Sequence, residues 1–325
     1  MSIRFVRAGL QTSIQDQGRP GMMDWGIPWG GAADPLSMKI ANLLLDNSPN
    51  NPVLEATLLG PRIEFQCDIT IAIAGAQFTT MLNDSPIENY KTVKIKSGDI
   101  LDIGRVISGA RTYIAFPAKI EIPQILGSAG THIVSKFGGL NDDAIRTGDT
   151  IDLINIRPVR ELALNKNFHL IYTNQSQIRI VPGSESDLFP ETLTAQFYKT
   201  TFEVSPQSNR MGIRLSGLKH QQEKEYEAKK VPMISSGLYP GSIQVPPDEK
   251  PIISFIEGQT IGGYPRIGHV IKAELHRLGQ LKPSDKIRFQ KINLGEAKSI
   301  LKKKRELLHQ LQLSLGKHEK EFLIL

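Results

Sequence analysis

The 325-residue chain contains one cysteine, Cys67. A single cysteine excludes an internal disulfide and any multi-cysteine metal site, and is compatible with a reducing compartment. Cys67 lies in "IEFQCDITIAIAG", an apolar strand-like run, so the sequence predicts a buried, inert thiol. There is no apolar run of about 18 residues, and "MSIRFVRAGLQTSIQD" lacks the apolar core of a signal peptide. A cytoplasmic protein without membrane contact is expected. The net charge is only +6, with no aromatic-interleaved basic stripe and no zinc-finger spacing, which weighs against nucleic acid. No phosphate-binding G-x-x-x-x-G-K-[ST], G-x-G-x-x-G, H-E-x-x-H or G-x-S-x-G motif occurs. His269 and His276 stand alone, so no metal set is expected.

What is present is a globular composition, 40% apolar and 22% charged, in a chain long enough for two domains. Short β-rich runs bounded by turn residues dominate. "ITIAIAG" (69–75), "TVKIKSGDILDIG" (92–104), "RTYIAF" (111–116) and "DTIDLI" (149–154) read as strands, the second as a hairpin turning at Ser97-Gly98-Asp99. "QIRIVPG" (177–183), "TFEVS" (201–205), "GIRLSG" (212–217), "PIISFIEG" (251–258) and "KIRFQKI" (286–292) continue the pattern. "DPLSMKIANLLLDN" predicts a helix with Asp34 as N-cap and Pro35 in its first turn. "ESDLFPETLTAQFY" is a shorter helix candidate interrupted by Pro190. The boundaries expected are 1–165, 166–292 and an amphipathic extension over 293–325. In that extension Lys302 to Arg305 are expected on the wet side.

Three segments are dense in binding chemistry. "TSIQDQGRPGMMDWGIPWGGAADP" (12–35) holds five glycines, three prolines, Arg19 and both tryptophans of the chain. Such a loop can present backbone N–H groups and a fixed arginine to a carboxylate or phosphate. It can equally be a structural Ω-loop that Arg19 closes by pairing with Asp16 or Asp34. "SPQSNRMGIRLSG" (205–217) reads either as an Asx- or Ser-capped turn or as an anion or amide pocket around Arg210. "SSGLYPGSIQVPPDEKPIISFIEGQTIGGYPRIG" (235–268) sets Gln244 and Gln259 at strand ends beside Gly262-Gly263. That suits a planar polar group such as a ureido or lactam, or else glycines at barrel corners.

These segments, with "VLEATLLGPRIEF", resemble the allophanate hydrolase subunit 2 family in order from about Phe5 to Phe289. That family spans the C-type subunit of bacterial 5-oxoprolinase (also called KipI antagonist) and the biotin-dependent carboxyltransferase region of urea carboxylase. The resemblance implies a mostly β fold of two cyclophilin-like β-barrel domains, a few short helices and a C-terminal helix. Carried over by motif, the pocket residues are Gln15, Asp16, Arg19, Asp34 and Glu55 in the first half. In the second they are Ser208, Asn209, Arg210, Gln244, Gln259, Thr260 and Tyr264. The activity implied first is hydrolysis of a cyclic amide by a cytoplasmic, ATP-dependent hetero-oligomer with companion B-type (KipI-like) and A-type (lactam-utilisation-like) subunits. ATP and magnesium then belong to the complex, and nothing is bound covalently. The alternatives are carboxyl transfer from carboxybiotin and non-catalytic binding of a kinase inhibitor. Two departures mark this chain. Gly258 precedes Gln259-Thr260 where relatives tend to carry arginine, and "FGGLNDDAIRTGD" (137–149) stands where they often read Gly-Arg-x-Leu after the Gly-Gly pair.

Overall fold

The computed structural model describes residues 1–217, 233–247 and 250–316. It divides into two compact units. The first comprises Met1–Pro20, Gly30–Tyr172 and the chain from Glu306; the second comprises Gly21–Trp29 and Thr173–Arg305. The sequence reading cuts the chain at 165 and 292. The contacts cut it after Tyr172 and again within the terminal helix, and they assign residues 21–29 to the second unit. The last part of the expected extension, residues 317–325, lies outside the described residues.

The first unit is one curled ten-stranded sheet. Its path runs Gln11–Gln15, Val53–Thr57, Ile100–Ala115, Arg62–Phe65, Ser2–Arg7, Thr150–Ile154 and Lys119–Ile120. The long strand Ile69–Leu82 pairs with Ile100–Ala115 off this path. Three register shifts between those two strands bend and twist the sheet, as bulges do. Two predicted runs, 100–104 and 111–116, are therefore parts of one strand. The hairpin expected at 97–99 is a correction. The chain does turn there, but Thr92–Ile95 and Ile100–Ala115 do not pair with each other. They occupy opposite edges of Ile69–Leu82, where Ala72 faces Thr92 on one side and Ala115 on the other. Pairing along a 14-residue strand outweighs the local turn.

One face of this sheet buries Phe5, Phe65, Phe78, Phe116 and the aliphatic residues around them, with Cys67 among them. Burial holds the Cys67 thiol in its protonated, unreactive form by raising its pKa. The other face packs on the helix Pro35–Leu44, which begins where the Asp34 cap and Pro35 direct it. From the terminal helix, Leu308 and Leu311 join that second cluster.

The second unit is a closed seven-strand barrel. The order is Gln175–Pro182, Arg266–Val270, Ser242–Gln244, Ile252–Ser254, Gly212–Ser216, Phe202–Val204 and Lys286–Lys291. A parallel ladder from Gln175↔Lys286 to Ile180↔Lys291 closes it. Pro190 separates a 3-10 turn, Ser186–Leu188, from the helix Glu191–Lys199. That helix supplies Phe197, whose ring stacks on Phe289 at 4.9 Å and lies 5.2 Å from Phe202. Each such buried ring contributes roughly 1.5–3 kcal/mol relative to exposure. The mostly β reading holds, with the second sheet closed and the first curled.

In this unit the terminal helix Leu294–Ser314 packs Ala297, Ile300 and Leu301 against Ile271, Ala273 and Ile292. Lys304 corrects the expected wet side. Its ammonium donates to the Ala273 carbonyl at 2.6 Å and to His276 Nδ1 at 2.8 Å. A long aliphatic stem lets a lysine reach such acceptors from the flank of an amphipathic helix.

Candidate functional site

In the first unit, Gln15, Asp16 and Arg19 form one buried cluster. The Asp16 carboxylate accepts from Gly18 N at 2.8 Å, Ser128 Oγ at 2.6 Å and Ala129 N at 2.7 Å. Arg19, 1% exposed, donates to the carbonyls of Ile125 and Gly130 and stacks its guanidinium 4.5 Å over the Phe137 ring. Gln15 donates to Ser13 Oγ and the Thr131 carbonyl. The side-chain oxygens of Gln15 and Thr131 are buried without a hydrogen-bond partner among the described residues. The loop ends meet where Ala32 N donates to Asp16 O. Gly31 sits there at φ +75°, and a Cβ would come within 2.6 Å of Gly18 N, so only glycine closes the loop this way. Arg19 and Asp16 thus brace the segment 125–138. That segment was not among the expected site residues, although its small-residue run "GSAGT" was its signal.

Asp34 and Glu55 form a second cluster, at the start of the helix Pro35–Leu44. The Asp34 carboxylate accepts from Leu36 N, Ser37 N, Ser37 Oγ and the Tyr172 hydroxyl. Glu55 accepts from Ala33 N and from the Tyr113 hydroxyl, both at 2.8 Å, and lies 3.5 Å from Arg111. Tyr113 in turn accepts from Asp34 N. Burial, with Glu55 and Asp34 nearby, pushes the Tyr113 phenol well above its ordinary pKa; burial and Asp34 do the same to Tyr172. Both remain neutral donors. This constellation caps a helix and anchors a loop.

In the second unit, "SPQSNR" folds as a capped turn. Asn209 Oδ1 accepts from Met211 N and Gly212 N, and Ser208 Oγ accepts from Arg214 N. Arg210, expected as a fixed cation for an anion, is 2% exposed and ion-paired with Glu257, itself 1% exposed. Glu257 was missed; its signal was a charge in the apolar run "ISFIEG". Beside it, a Cβ on Gly258 would lie 2.7 Å from Met211 O and 2.8 Å from Ser254 Oγ. An arginine there requires the turn to move.

Gln244 and Gln259 do come together. Their Nε2 atoms lie 2.6 and 3.3 Å from the point where a Cβ on Gly262 would sit, so two carboxamides converge over a bare Cα. Gln244 donates to the Tyr264 carbonyl at 3.3 Å. Gln259 is exposed, and its side chain makes no hydrogen bond among the described residues. Thr260 is buried and its carbonyl accepts from Leu238 N. The rings of Tyr239 and Tyr264 and the side chain of Ile261 are exposed nearby in sequence. An amide pair beside exposed aromatic surface matches the donor and acceptor pattern of another planar amide.

Elsewhere in this unit Ser242 Oγ lies 3.1 Å from His269 Nδ1. Ser242 is fully buried, so it is no nucleophile for an outside substrate. No group of three or more His, Cys, Asp or Glu able to hold a metal occurs among the described residues. No described helix is long and apolar enough to cross a membrane.

Comparison with known proteins bears on the family and the fold. The C-type subunit of the 5-oxoprolinase of Escherichia coli is 34% identical over 304 residues, covering 91% of this chain and 93% of its own length. Its Haemophilus influenzae counterpart is 31% identical over 302 residues, covering 93% and 95%. The crystal structure of the Kluyveromyces lactis urea amidolyase superposes with a TM-score of 0.87 at 28% identity, over all of this chain and 20% of that one. The family model for the carboxyltransferase domain, subdomain A and B, matches residues 25–291. By that match and by these end-to-end similarities, the chain belongs to the carboxyltransferase A/B family that includes the C-type subunits of 5-oxoprolinases.

Proposed function

We propose that this chain is the C-type subunit of an ATP-dependent 5-oxoprolinase, a complex that opens the lactam of 5-oxo-L-proline to L-glutamate. The observation that carries this reading is the end-to-end similarity to two proteins named as C-type subunits of 5-oxoprolinase, against a match to only a fifth of the urea amidolyase. A lactam is a poor electrophile, and phosphorylation of its oxygen activates the ring carbon for attack by water. ATP supplies that phosphoryl group as a substrate. ATP and magnesium belong to this reading at the level of the complex. The residues of this chain suited to a share in the reaction are Gln244 and Gln259, whose carboxamides complement the lactam N–H and C=O.

A second reading is carboxyl transfer from carboxybiotin to an amide. It is favoured by the superposition of this whole chain on a fifth of the urea amidolyase, and the same paired amides suit a ureido ring. The test is ATP hydrolysis stimulated by 5-oxoproline, with this chain alone, with A- and B-type companions alone and with the mixture. Lactam-dependent turnover in the mixture only is expected. Turnover with the companions alone, or none in any mixture, overturns the proposal; the latter moves the assay to carboxybiotin and an acceptor series.

A further inference from the structure

The first unit carries a cleft of about 620 Å³ that no role described so far uses. It lies between the end of the helix Pro35–Leu44 and the edge strand Lys119–Ile120. Lys119 and Arg157 line it, and no carboxylate does. Neither cation makes an ion pair among the described residues. Arg157 donates instead to Asn47 Oδ1 at 2.7 Å and to the Asp46 carbonyl at 3.4 Å. Asn47 is itself fixed, since its amide nitrogen donates to Asn42 Oδ1 and the Phe116 carbonyl. That leaves its oxygen turned to the guanidinium, which is held in place while keeping its full charge.

The rest of the lining divides by chemistry. Asn51, Gln124 and Asn155 present carboxamides that make no side-chain hydrogen bond among the described residues. Ile120 and Ile122 supply apolar wall. Ala129 forms a further wall, and its amide is gripped by Asp16, so the glycine-rich loop's carboxylate shapes this cleft from behind. Two unneutralised cations call for an anion, three uncommitted amides for a planar amide, and the isoleucines for a few carbons. The volume is in the range of small-molecule sites.

We infer that this cleft binds a small organic carboxylate that also carries an amide or lactam. Lys119 and Arg157 take the carboxylate, and Asn51, Gln124 and Asn155 face the amide. The inference goes beyond the proposed function: the cleft takes the whole acid-lactam molecule, as a site separate from the Gln244–Gln259 pair, and it rests on that function only for its choice of probe.

The test is calorimetric titration of the full chain with 5-oxo-L-proline, and with 2-pyrrolidinone, which keeps the lactam but lacks the carboxylate. Saturable binding of the acid, weakening as sodium chloride is raised, is expected, with no binding of 2-pyrrolidinone. Lys119→Gln and Arg157→Gln should each weaken binding about tenfold or more. Both residues are exposed, so unchanged melting temperatures would confirm intact folds. No binding by the wild-type chain, equal binding of 2-pyrrolidinone, or unchanged affinity in both variants overturns the inference. The same variants in the reconstituted mixture separate the two proposals. Wild-type affinity and wild-type turnover constants in both would remove this site and leave the function standing. Charge-dependent binding to the isolated chain without turnover in any mixture would remove the function and leave the site.

Discussion

In the first unit, Gln15, Asp16, Arg19, Asp34 and Glu55 are all at most 5% exposed, and most of their polar atoms hold backbone. In the barrel, Gln259 and Tyr264 reach the surface, and the Gln244 carboxamide lies over a bare glycine Cα. Residue types that look equally chemical in the sequence therefore divide into braces and contacts. Buried charged and amide groups in a fold are stable only when their hydrogen bonds are met, and meeting them commits the group. The glycine-rich loop is thus architecture that sets the wall of a cleft, and the amide pair of the second unit is the surface proposed to meet a ligand.

The strongest way to break this contrast lies at Arg210, a buried brace of the second unit. Arg210→Ala leaves Glu257 charged and buried, and should cost about 3–5 kcal/mol in denaturant unfolding. Replacing the pair together, Arg210→Met with Glu257→Leu, should recover most of it. A variant of Arg210 that keeps its stability and loses only turnover would return the arginine to the contacts.

Next in size is Asp34→Ala. It removes a helix cap together with the bonds from Ser37 Oγ and Tyr172, and should lower stability by about 2 kcal/mol. Thermal unfolding checks it. Loss of activity at unchanged stability would instead place Asp34 in a ligand site.

Gly262→Ala sharpens the other side. The new methyl meets the end of the flexible Gln244 side chain, so the fold should tolerate it while the amide is displaced. Lactam-stimulated turnover in the reconstituted mixture should fall about tenfold, equivalent to about 1.4 kcal/mol, with a melting temperature near wild type. Full activity would detach the amide pair from the reaction.

The smallest effect is on pH. Burial first, then Lys304 and Arg277, lowers the His276 pKa well below the ordinary histidine value; burial and Arg266 lower that of His269. Both are therefore neutral in the fold near neutrality and take up protons more readily when unfolded. Stability should fall as pH drops from about 7.5 through the unfolded histidine range, by at most about 1.4 kcal/mol per pH unit for each proton. The His276→Gln variant should show a flatter dependence. Unfolding midpoints that rise on acidification, or an unchanged slope in the variant, would contradict the assignment.

The parts of this structure legible in the sequence are the local ones. Alternating apolar runs marked most strands, and Asp34-Pro35 marked the first helix because cap and first turn are neighbours in the chain. The non-local parts were not legible. The turn at 97–99 looked like a hairpin because nothing nearby reveals that Ile69–Leu82 takes both strands. Glu55 looked like a pocket acid, since its partners Ala33 and Tyr113 lie 22 and 58 residues away. Arg210 looked free for the same reason, with Glu257 47 residues on. Gln244 and Gln259 were marked locally, at strand ends beside Gly262-Gly263, and the family resemblance added the two-domain arrangement, while the lining of the Lys119–Arg157 cleft is scattered over five stretches of chain.

Gly258 carries a consequence for how such sequences diverge. Its Cα is walled by the Met211 and Phe255 carbonyls and Ser254 Oγ, so a larger residue there is blocked on this backbone. On this backbone an exchange of Gly258 for arginine needs a shift of the Asn209–Met211 turn first, so a single-step swap in this chain should be harmful unless a second substitution frees that turn.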